Sequence, residues 1–165
     1  MTLVSEILNL NLEKVLLFEN INNVINNEGV TKNGSIINPI IAAVSIYEEN
    51  NEISRKIIEH LLSFDELDVS KVFIIKGIGE WPDTIYTLFH IISEFKLPLD
   101  LCELILNSKS LNKESLNVIN EDDYRPLDLA YEYNKDITKL LESKGAKRYF
   151  RVGPGFKVDD SFKIP

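Results

Sequence analysis

A short helix opening occurs three times in this chain, and that recurrence limits the fold more than any other feature. The fullest copy is Arg125-Pro126-Leu127-Asp128-Leu129-Ala130, preceded by the polar turn Asn120-Glu121-Asp122-Asp123-Tyr124. The others are Asn38-Pro39-Ile40-Ile41-Ala42-Ala43 and Thr87-Leu88-Phe89-His90-Ile91-Ile92. A proline in the first helical turn gives up no hydrogen bond and presets φ. Asn or Thr just before the helix can accept from its unpaired N–H groups. Small residues such as Ala42, Ala43 and Ala130 let helices approach one another closely.

Each opening is followed by a second apolar segment. After the first, Ile53, Ile57, Ile58, Leu61 and Leu62 form one broad helical stripe. Leu99, Leu101, Cys102, Leu104, Ile105 and Leu106 follow Pro98, and Ile137, Leu140 and Leu141 follow the third opening. Gly145 permits the left-handed residue that ends that last helix. Residues 3–10 and 11–18 read as a more degenerate inner and outer helix at the N-terminus.

Pro-Leu-x-Leu-Ala at 126–130, Leu140-Leu141 and Gly145-Ala146 together resemble one ankyrin repeat. Thr87 and His90 keep two residues of that family's Thr-Pro-Leu-His opening. The resemblance covers roughly residues 36–148, with anchors at 39, 88 and 126, so both intervals exceed the family's period of about 33 and carry insertions. It implies an all-α, ankyrin-repeat-like solenoid of stacked helix-turn-helix units with a degenerate N-terminal capping pair. The units fall at about 3–30, 36–70, 84–118 and 122–150, one domain over 1–150, followed by a C-terminal tail at 151–165. Two segments stand outside the pattern. Residues 63–83 contain Val72-Phe73-Ile74-Ile75 and then Gly77-Ile78-Gly79-Glu80-Trp81-Pro82, an extra helical turn or a short strand leading to a long finger. In the tail, Phe156 and Phe162 stand among charges.

Composition narrows the function. The chain has 165 residues and a net charge of −8. Residues 142–165 hold six basic and three acidic residues, +3, which leaves twelve basic against twenty-three acidic, −11, for 1–141. Nucleic acid is a poor partner for such a body, because binding it needs a basic stripe. A basic protein suits it, since the field steers association. The single cysteine, Cys102, excludes an internal disulfide and favours the reducing cytoplasm. No apolar run nears the roughly 20 residues of a membrane span, and 1–6 lacks the basic start of a signal peptide. The sequon Asn33-Gly34-Ser35 therefore reads as a turn.

Catalytic groups are scarce. His90, Cys102 and a carboxylate would make a nucleophile set only if a thiolate sat beside a base in a cleft. Cys102 instead falls on an apolar stripe, and the resemblance gives His90 a structural place tying neighbouring loops together. His60 reads as a helix-surface residue. Two histidines and one cysteine, widely scattered, supply no metal-ligand spacing, and no cofactor is expected. Gly77-Ile78-Gly79 lacks the rest of a phosphate loop and reads as a turn.

Recognition has more to stand on. The end of each inner helix carries an aromatic beside an acid: Tyr47 with Glu48, Phe95 with Glu94, and Tyr133 with Glu132. Stacked units would align these into a strip fit for a basic partner, unless the rings turn inward to fill gaps. Trp81, in a polar loop, is a further candidate anchor. The sequence thus points to a non-enzymatic protein-binding module, monomeric when free, binding a basic protein with no membrane or nucleic-acid role. A small cytosolic inhibitor of the immunity type is the first version of this reading. A microbial or viral effector or adaptor binding a host protein is the second, and a cysteine-dependent enzyme is the alternative from another class.

Overall fold

A computed structural model describes residues 2–18, 21–32, 34–76 and 83–149. Trp81, the glycines at 77 and 79, and the 151–165 tail lie outside the described residues.

The helical openings form where the caps dictate. Helix α1 (Leu3–Leu8) starts at Thr2, whose hydroxyl accepts from the Ser5 N–H at 3.1 Å, and α2 (Leu12–Leu16) follows it. Helix α3 (Ile21–Val24) is a single turn. Helix α4 (Pro39–Ser45) has Pro39 in its first turn, and Asn38 Oδ1 accepts from the Ile41 N–H at 3.1 Å. Helix α5 (Asn51–Leu62) is capped the same way by Asn50, again at 3.1 Å. Helices α6 (Leu88–Glu94), α7 (Leu99–Leu106), α8 (Pro126–Tyr133) and α9 (Thr138–Ser143) complete the set. Gly145, at φ 100°, ends α9 with its N–H on the Glu142 carbonyl at 3.0 Å.

Two rows of helices result. α1, α4, α6 and α8 pack in sequence as an inner row, while α2, α5 and α7 pack as an outer row continued by the turn Lys135–Ile137. Ala42, Ala43 and Ala130 are fully buried, as close helix approach requires. The core gathers here, around Ile40, Ile58, Phe89, Ile92 and Leu101. Polar stitches fix the rows: Ser54 Oγ donates to the Ala43 carbonyl at 2.6 Å, and Asn134 Nδ2 donates to the Ile92 and Phe95 carbonyls at 3.3 and 3.2 Å.

The all-α expectation is overturned. Strands β1 (Gly29–Val30), β2 (Ile36–Ile37), β3 (Val72–Ile75) and β4 (Thr84–Thr87) make one antiparallel sheet in the order β1-β2-β3-β4, so the fold is mixed α/β. The cause is local composition. Val72-Phe73-Ile74-Ile75 and Thr84-Ile85-Tyr86-Thr87 are β-branched and aromatic, and each alternates between faces. Of the two options the sequence offered for 72–75, the strand is the one formed. Register aligns Val30, Ile36, Ile74 and Ile85 in one row across all four strands on the outer face. Ile37, Phe73 and Tyr86 occupy the opposite face and are buried. The segment before α8 adds no strand; there Asn120 Oδ1 accepts from the Asp122 and Tyr124 N–H groups at 3.1 and 2.8 Å. Asp123 takes the left-handed φ of 61°.

Among the described residues no helix is long and apolar enough to cross a membrane. The outer surface carries ion pairs such as Lys109–Asp65 at 2.7 Å, exposed and worth little each.

Gly29 brings β1 against α1: a Cβ there would meet Val4 Cβ at 2.6 Å. Gly29→Ala is therefore expected to cost about 1–3 kcal/mol in chemical denaturation; unchanged stability would mean that α1 is not held against the sheet.

Candidate functional site

Strand β2 runs through Asn38 into α4, and β4 runs directly into α6. The sheet's inner face is thereby set across from the inner helices, and a trough of about 330 Å³ lies between them. Ile37, Phe73 and Tyr86 line it from the sheet, and Ile41, Glu94 and Phe95 from the helical side. Among the described residues, Glu94 is the one charged residue lining it.

Tyr86 organises this trough. Its ring lies 5.1 Å from that of His90 and 6.3 Å from that of Phe73, and its hydroxyl donates to Glu94 Oε1 at 2.9 Å. Burial, then the adjacent Glu94 carboxylate, pushes the Tyr86 hydroxyl well above the ordinary tyrosine range. Burial also raises the Glu94 carboxyl; the bond from Tyr86 opposes that, and Asp122 adds to it. The edge of β4 is closed by Glu121, whose Oε2 accepts from the Thr84 hydroxyl and the Ile85 N–H. Burial disfavours the Glu121 carboxylate, but those two donors outweigh it and hold its pKa below the usual range.

The predicted strip is only partly assembled. Glu94 and Phe95 line the trough together, both half-buried. Tyr133 is 52% exposed at the end of α8; its hydroxyl pKa is raised chiefly by a hydrogen bond to Glu132, with a smaller contribution from Glu94. Glu132 is exposed beside it. Tyr47 is partly buried and packs against the core, and Glu48 is exposed; neither lines the trough. The sequence reading missed Tyr86, Phe73 and Ile37. Its available signal was the strand-like alternation of 84–87, which points Tyr86 to the same face as Thr84.

His90 and Cys102 are both fully buried. The Thr87 N–H donates to His90 Nδ1 at 3.1 Å, so the proton sits on Nε2, which donates to the Tyr124 carbonyl at 3.3 Å. Burial lowers the His90 pKa to about 4, against weaker opposing contributions from the backbone of Tyr124 and Val118 and from Glu121. The ring thus ties the α6 opening to the next turn. Cys102 is fully buried, and burial pushes its thiol up to about 12. Among the described residues no group of His, Cys, Asp and Glu could hold a metal ion.

No family model, no curated protein and no solved structure matches the chain. Function has to be read from the site itself.

The His90 geometry has a pH signature. Its folded pKa, about 4, lies below the unfolded value of about 6.5, so the unfolded state binds the extra proton first as pH falls. Stability present above pH ~6.5 is expected to drop by about 2 kcal/mol on reaching pH ~5. Denaturation midpoints across that window check it, and His90→Asn should be less stable at neutral pH and lose most of the slope. An equal slope in the variant would contradict the assignment.

Proposed function

We propose that this chain is a non-enzymatic protein-binding module that takes a basic segment of another protein along the trough and its acidic rim. The single observation that carries the reading is the half-buried Glu94, hydrogen-bonded to Tyr86 in a mostly apolar trough on an acidic body. Apolar floor with a few placed polar groups is the usual composition of a recognition site. Glu132 and Tyr133, both exposed, add an acid and an aromatic at the end of α8, the inner helix packed against α6.

Between the two roles left open by the sequence, the acidity of residues 1–141 favours a stoichiometric inhibitor of a basic protein, since long-range attraction speeds capture. Burial of Cys102 and full hydrogen bonding of His90 favour binding over cysteine chemistry.

Glu94→Lys combined with Glu132→Lys is expected to slow association with a captured basic protein by about tenfold or more at low salt, with the fold intact. Stopped-flow or surface-based kinetics at two ionic strengths measure this. Equal association rates for the two proteins at low salt would sink the reading.

A further inference from the structure

The trough is small for a whole peptide. At about 330 Å³ it sits at the lower end of ligand-sized cavities. Its walls divide by chemistry: Ile37, Ile41, Phe73 and Phe95 supply apolar surface, and Glu94 supplies the charge. Among the described residues no lysine or arginine forms an ion pair with Glu94, and the carboxylate receives one hydrogen bond, from Tyr86. Lys76, whose backbone N–H donates to the lining residue Ser35, is paired with Asp83.

We propose that the trough is a socket for one lysine or arginine side chain of the partner, its aliphatic stem against Ile37, Ile41, Phe73 and Phe95 and its cationic head on the Glu94 carboxylate that Tyr86 orients. The inference rests on the protein-binding reading above and names what that site selects. An anion is repelled by Glu94 and by the acidic body around it. A purely apolar side chain would strip water from the carboxylate and leave it without a counter-charge, which is costly. A long side chain with an apolar stem and a charged end satisfies both walls together. Tyr86 leaves the second carboxylate oxygen, Oε2, for the incoming cation, because its own bond is to Oε1.

The test is an NMR titration of the 15N-labelled full chain with three peptides: acetyl-Gly-Lys-Gly-amide, its arginine analogue and its norleucine analogue. The cationic peptides are expected to give saturable shifts at the amides of Ile37, Phe73, Tyr86 and Phe95, with the stronger of the two naming the preferred head group. Norleucine, which keeps the stem and lacks the charge, should bind about tenfold more weakly or worse. Glu94→Gln, which preserves shape, should weaken the cationic peptides by a similar factor, while Glu59→Gln on the outer row should leave them unchanged. Equal binding of norleucine would assign the trough to an apolar residue and overturn the proposal. So would concentration-dependent shifts of the same amides without peptide, which would place a second copy there. Cation-dependent shifts confined to Glu132 and Tyr133 would overturn the socket and leave the wider reading standing. Absence of any cation preference across the surface would overturn both.

Discussion

Two strands run into two helices almost without a break, and that continuity sets the geometry of everything else. β2 is separated from α4 by Asn38 alone, and β4 passes into α6 with no residue between them. Asn38 directly follows one strand and Thr87 ends the other, and each is the N-cap of the next helix, so the sheet has little freedom to swing away from the inner row. Phe73, Tyr86 and Ile37 must then face the helices, because strand alternation leaves them no other side. The trough is the space those side chains do not fill. Its depth is a consequence of connection length more than of any single contact.

One helix, α6, treats two titratable groups in opposite ways. His90 and Glu94 are four residues apart and so share a face, and Tyr86 lies along that face in contact with both. His90 has partners at both ring nitrogens and is held neutral as part of the frame. Glu94 has one partner and opens to the trough. Full satisfaction marks a structural group and partial satisfaction marks one with chemistry to spare. The same contrast separates Cys102, sealed in the core, from the exposed Glu132 and Tyr133.

The helical part of this architecture was legible because its signals are local. Pro39, Pro126, Asn38 and Gly145 act within a turn of where they stand, and the stripes of Ile57, Ile58, Leu61 and Leu101 need no distant partner to be recognised. The sheet was not, for a physical reason: its strands are only two to four residues long, and β2 meets β3 across the whole α4–α5 pair, a pairing that no local pattern announces. Val72-Phe73-Ile74-Ile75 is too short a run to settle strand or helix alone. The candidate site divided along the same line. Glu94 and Phe95 were found from their place at the end of an inner helix, whereas Tyr86 and Phe73 join them only through the sheet. Tyr47, at the matching position of α4, is half-buried and packs against the core instead.

The proposed binding role requires the trough to be the face that meets the partner. Amide hydrogen exchange of the full chain, alone and with a basic protein captured on it, is the direct test. Slowed exchange concentrated in β2, β3, β4 and α6, with α5 and α7 unchanged, is the result expected. Protection confined to α5 and α7 would place the partner on the outer row and contradict the account.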